Sequence, residues 1–123
     1  MAREIHGHEG SALNNSLIIS ADDRDESGGS HIYDMALRVG SGKYRYAGHI
    51  DFQRGPVKEA GLNGISDEAL IAIVIDRLEG FQAGPFRSEF NGLVIDKLAD
   101  ALSWLRKRTL DRQARGVEGL NKV

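Results

Sequence analysis

Arg108 and Arg112 stand four residues apart in a helical pattern, so they share one face. Trp104 lies one turn earlier on that face, and Arg115 follows three residues later. Two adjacent guanidiniums repel each other unless an anion sits between them. A pyrophosphate satisfies both through charge-assisted, bidentate bonds. A second reading stays open, because cations near a helix C-terminus are favoured by the macrodipole alone. Phe81 stands in the glycine-punctuated turn Gly80-Phe81-Gln82-Ala83-Gly84-Pro85-Phe86. Its ring offers a stacking platform for a nucleobase, or it closes a helical hairpin as a core aromatic. Asn91 sits in the first turn of the next helix. Its amide has donors and an acceptor to read a base edge or a ribose hydroxyl, or it is a cap or early-turn residue. Phe86 reads as core.

The groups that would cut a nucleotide are not near these residues. His6, His8, His31 and His49 all lie in the N-terminal half. His6-Gly7-His8 lacks a third ligand and predicts no metal site. Asp96 and Asp100 fall on a different face from Arg108 and read as solvated. No phosphate-binding P-loop and no GxSxG elbow occur. Hydrolysis of a phosphodiester normally needs a metal cluster or a histidine base. The pattern therefore favours holding a nucleotide over degrading one, without catalytic residues or a cofactor.

Several elements must position these residues. Met1 to Asn15 is polar and aperiodic and predicts a flexible lead-in over residues 1–15, with one domain over 16–123. Leu17 to Ala21, His31 to Leu37 and Tyr44 to Phe52 read as strands, so the sheet is expected over about 16–52. Short connections make these strands antiparallel. Gly55-Pro56 is expected to end the sheet, and Val57 to Ile65 to be an extended connector. Ser66 caps a first helix, about 66–80, that Gly80 ends. Its apolar residues Leu70, Ile71, Ile73, Val74, Ile75 and Leu78 spread too widely for one face, which points to cover from another subunit. A second helix, about 88–115, carries a buried stripe of Phe90, Val94, Leu98, Ala101 and Leu105. Gly116 stops it, and residues 116–119 form a short tail. The expected fold is α+β: a small antiparallel β-sheet packed with a C-terminal two-helix hairpin, oligomeric.

Composition removes other classes. A net charge of −2 argues against a nucleic-acid polymer as partner. The absence of cysteine excludes disulfides and a thiolate nucleophile, and fits a reducing cytoplasm. No apolar run approaches the roughly 20 residues that span a bilayer, and the N-terminus lacks a signal-peptide core. A soluble intracellular protein is expected.

Five blocks then carry a family resemblance. They are Phe52-Gln53-Arg54-Gly55-Pro56-Val57-Lys58-Glu59 with Gly61-Leu62-Asn63-Gly64, Glu68 to Ile73, Gly80 to Phe86, Ala101 to Thr109, and Arg115-Gly116-Val117-Glu118-Gly119. In this order and spacing the chain closely resembles the bacteriophage anti-Thoeris family, type one, from about Ser16 onward. The resemblance implies a phage anti-defence sponge acting in the host bacterial cytoplasm. Such a sponge sequesters glycocyclic ADP-ribose, the signalling nucleotide of TIR-domain immunity, and releases it unchanged. It also implies assembly through the helices into dimers, and in some members trimers of dimers. Some members hold cyclic di- or trinucleotides as well. Carried across, Phe81 matches the base-stacking aromatic, Asn91 the polar base or ribose contact, and Arg108 with Arg112 the phosphate contacts. Arg24 and Met35 are expected to complete the site from the strand region at a subunit interface. Three departures bear on secondary contacts: Glu89-Phe90 replaces an arginine and glutamate, Leu120-Asn121 replaces a Thr-His pair, and Arg54 stands where asparagine is frequent. The rival readings are a nucleotide-degrading enzyme and an interaction module with an arginine-rich face.

Overall fold

The computed structural model describes residues 3–116; Val117-Glu118-Gly119 and Leu120-Asn121 lie outside the described residues. Two compact units result. One joins the chain up to Arg54 with Asn63–Ile65, and the other joins Gly55–Leu62 with the chain from Ser66 onward.

The first unit is an antiparallel meander of β1 (Arg3–Ile5), β2 (Leu17–Ala21), β3 (Ile32–Gly40) and β4 (Lys43–Asp51), in the order β1-β2-β3-β4. Side chains alternate across a strand, so register decides which residues share a face. Leu17 pairs with Leu37, Ile19 with Met35 and Ala21 with Tyr33, which collects one apolar face. Tyr33 and Phe52 meet edge to face at 5.7 Å. Gly42, at φ +67°, makes the tight β3–β4 turn.

The N-terminal segment departs from expectation. It is not an unstructured lead-in: Arg3 pairs with Ala21 and Ile5 with Ile19. A short helix, α1 (Ala12–Ser16), capped by the Ser11 hydroxyl, then delivers the chain into β2. A three-residue strand has no periodicity to read; pairing with a distant strand holds it.

The expected extended connector is also corrected. Val57–Ala60 forms a helical turn, α2. The chain then returns to the sheet, where Ile65 bridges Phe52 in parallel. The Asn63 side-chain amide seals this crossing. Its Oδ1 accepts from the Arg54 N–H at 2.7 Å and its Nδ2 donates to the Arg54 carbonyl at 2.7 Å. Gln53 Oε1 accepts from the Asn63 N–H at 3.0 Å. A Cβ at Gly64 would overlap the Phe52 backbone and stand 2.6 Å from the Gln53 nitrogen.

The second unit is a helical hairpin. Helix α3 spans Asp67–Gln82, with Ser66 capping the Ala69 N–H and Asp67 and Glu68 in its positive first turn. It runs two residues beyond Gly80, which adopts helical geometry, and the following Gly84-Pro85 prevents further continuation. Helix α4 spans Glu89–Ala114 from a Ser88 cap, and Gly116 at φ +71° follows it. The two helices pack together. Half-buried Asn91, Ile95, Leu98, Leu102, Leu105 and Thr109 recur at alternating four- and three-residue spacing on α4. The predicted stripe is corrected at its start: Phe90 is 75% and Val94 44% exposed, and Phe86, expected in the core, is 75% exposed. The half-buried seam begins one residue later, at Asn91. No helix among the described residues is long and apolar enough to cross a membrane.

Candidate functional site

The hairpin tip gathers two of the predicted residues. Phe81 lies in the last turn of α3, not in the loop beyond it. It is half-buried, and the Arg77 guanidinium stands 4.9 Å from its ring centroid. This cation covers part of the π-system. Asn91 lies in the first turn of α4, half-buried. Its backbone N–H is capped by Ser88 Oγ at 3.1 Å, and its Nδ2 approaches the Phe86 carbonyl at 3.5 Å. The cap is thus Ser88, which leaves the Asn91 amide with its Oδ1 acceptor for other use.

Sequence reasoning missed Gln82. Its Nε2 donates to the Ser88 carbonyl and its Oε1 accepts from the Ser88 N–H, both at 2.9 Å. One side chain thereby ties the end of α3 to the start of α4. An amide six residues from its partner carries no periodic signal; only the glutamine beside Phe81 hinted at it.

The arginines lie at the other end of α4. Arg108 is exposed and Arg112 is half-buried one turn later. Trp104, 68% exposed, precedes them, with the Lys107 ammonium 4.3 Å from its ring centroid. Arg115 is paired with Asp111 at 3.0 Å. Asn91 and Arg108 are seventeen residues apart on one continuous helix, about 26 Å at a rise of about 1.5 Å per residue. A single hairpin therefore holds the two groups of candidate residues apart, a ring and amide at the tip and guanidiniums at the far end.

The two strand-region candidates belong to the sheet unit. Arg24 is exposed on the β2–β3 loop, between two ordered carboxylates. Asp22 accepts from the His31 N–H at 2.9 Å, which holds its carboxyl below the usual range. Asp25 is held low first by the Ser27 hydroxyl and receives His31 Nε2 at 2.7 Å. Met35 lies on β3 between Ile19 and Gly48, and its Cε reaches to 3.1 Å from the place a Cβ at Gly48 would take. Among the described residues, no three His, Asp or Glu side chains converge to hold a metal ion.

The family described as Acb2/Tad1, hairpin domain, matches residues 47–110, which runs from within β4 through most of α4. The chain belongs to the Acb2/Tad1 hairpin family. A curated relative, Thoeris anti-defense 1 of Bacillus phage SBSphiJ7, is 51% identical over 73 residues, covering 59% of this chain and 51% of the relative. The chain thus spans about half the length of the relative it matches. These findings bear out the anti-Thoeris resemblance read from the sequence. The hairpin-family segment contains Phe81, Gln82, Asn91 and Arg108; Arg112 lies just past its end, and Arg24 and Met35 lie before it.

Proposed function

We propose that the chain is an anti-Thoeris sponge: it binds a glycocyclic ADP-ribose whole in the infected cell and removes it from signalling without breaking it. The observation that carries this reading is the family match over the segment holding Phe81, Asn91 and Arg108. The relative's name, Thoeris anti-defense 1, supports the biological setting. Phe81 stacks on adenine through the ring face opposite Arg77. Asn91 bonds the base or ribose. Arg108 and Arg112 clamp the pyrophosphate.

The separation of about 26 Å along α4 is longer than one such nucleotide. All four residues reach one ligand only if a second copy supplies half of them. Helix α4 carries features that suit this. Phe90, Val94, Lys97, Ala101, Trp104 and Arg108 repeat at four-three spacing, the seam period of paired helices. Phe90, Val94 and Trp104 in that row are exposed. Glu89, Asp96 and Asp100 lie in the first half of α4, and Arg106, Lys107, Arg108 and Arg112 in the second. An antiparallel pair sets acidic half against basic half, and brings each tip to the other copy's arginines.

The test is recovery of the ligand. The protein is incubated with glycocyclic ADP-ribose, the complex is denatured, and the released nucleotide is analysed by mass and chromatography. Intact ligand in stoichiometric amount is the expected outcome. A linear product would show a degrading enzyme and overturn the reading.

A further inference from the structure

The hairpin turn is closed by a bond pattern that the ligand-contacting residues do not explain. Gln82 is the last residue of α3. Its side-chain amide makes both bonds a backbone neighbour would make to Ser88, one to the N–H and one to the carbonyl, each at 2.9 Å. The Ser88 carbonyl also receives the Gly92 N–H at 3.4 Å, and the Ser88 hydroxyl caps Asn91 at 3.1 Å. Nitrogen, carbonyl and hydroxyl of one residue are thus all engaged. The intervening Gly84-Pro85 makes no regular structure and cannot fix one helix end on the other by itself.

Gln82 follows Phe81 directly, and Ser88 stands three residues before Asn91. A displacement of Ser88 relative to Gln82 therefore becomes a displacement of Asn91 relative to Phe81. Glutamine suits the position because one planar group presents a donor and an acceptor together. Glutamate keeps the acceptor and loses the donor; alanine loses both.

We propose that Gln82 is a positioning residue of the nucleotide site: through its paired bonds to Ser88 it sets the distance and angle between the Phe81 ring and the Asn91 amide. The inference rests on the sponge reading for its consequence, and on the hairpin geometry alone for its mechanism. Binding that depends on two groups falls steeply when their spacing loosens, because the site must then be ordered at the moment of binding.

The experiment uses the full chain in two arms. In the first, without ligand, amide hydrogen exchange is followed at Ser88 and Asn91. Exchange at least tenfold faster in Gln82→Ala than in wild type is expected, while amides at the middle of α3 and α4 keep their protection. Unchanged protection at Ser88 would overturn the proposal. In the second, glycocyclic ADP-ribose is titrated calorimetrically into wild type, Gln82→Ala, Gln82→Glu, Phe81→Ala and the Gln82→Ala/Phe81→Ala pair. Affinity at least tenfold weaker in Gln82→Ala is expected, with Gln82→Glu intermediate. Added to Phe81→Ala, the same change should weaken binding less than twofold, since a group acting through the ring has nothing left to position. Equal loss in both backgrounds would show a merely structural role and overturn the proposal. A wild-type chain that does not bind would contradict the sponge reading, and the exchange arm would still decide whether Gln82 holds the tip.

Discussion

Arg108 is the residue on which the sponge reading depends most. Truncating one partner of a desolvated charge pair costs about 2–5 kcal/mol. Arg108→Ala is therefore expected to weaken nucleotide binding by at least about thirtyfold, with thermal stability close to wild type because the side chain is exposed. Calorimetry beside thermal melting checks both halves. A second residue-scale prediction concerns pH. His49 Nδ1 lies 2.6 Å from Asp34 Oδ1, and this bond holds the imidazole above its ordinary value of 6.5. A raised folded value means stability fully present below the unfolded value and lost as pH rises through the folded one. The melting difference between wild type and His49→Gln should be largest in mild acid and vanish in alkali. Both groups are substantially exposed, so the effect is small. At this scale the sequence was partly legible. Arginines four apart announce a shared face through helical period alone. Gln82 does not, because its partner lies across a turn. Phe86 and Phe90 misled, since an apolar type does not say whether its own chain covers it.

At the scale of elements, boundaries followed local chemistry wherever a cap announced them. The Ser66 and Ser88 hydroxyl oxygens each accept from a backbone N–H three residues on, and a helix starts at each. Gly80 misled as a stop, because a glycine ends a helix only where the chain turns left-handed. The strand β1 and the return of Asn63–Ile65 to the sheet rest on pairing with distant backbone, and no local pattern encodes them. That return yields an element-scale prediction. A Cβ at Gly64 would collide with the Phe52 backbone, which cannot rotate aside as a side chain would. Gly64→Ala should destabilise the sheet unit by about 3 kcal/mol or more, at or above the usual cost of overpacking. Denaturant unfolding measures this, and a loss below about 1 kcal/mol would show the crossing to be easily deformed. The crossing is closed by bonds of Asn63 to both the N–H and the carbonyl of Arg54, the same two-point pattern Gln82 makes to Ser88.

At the scale of the whole molecule, the described chain leaves much of its apolar surface uncovered. Ala21 is the one hydrophobic residue fully buried among those described, while Ile73, Phe90 and Trp104 are each more than 60% exposed. The sequence had shown the excess in the breadth of the first helix's apolar set. The helix expected over about 88–115 also sets Asn91, in its first turn, a helix-length from the arginines. That separation makes complementation between two damaged chains the most direct measurement of the central claim. Phe81→Ala spoils the tip half-site, and Arg108→Ala spoils the arginine half-site. Each variant alone should bind little glycocyclic ADP-ribose. Mixed in equal amounts under conditions that let subunits exchange, half the twofold pairs are hybrids, and each hybrid holds one intact composite site. Titration of the mixture should therefore recover about a quarter of wild-type binding capacity at wild-type affinity. A mixture that binds no more than its two components, although native mass spectrometry shows the hybrids present, would contradict a site shared between copies.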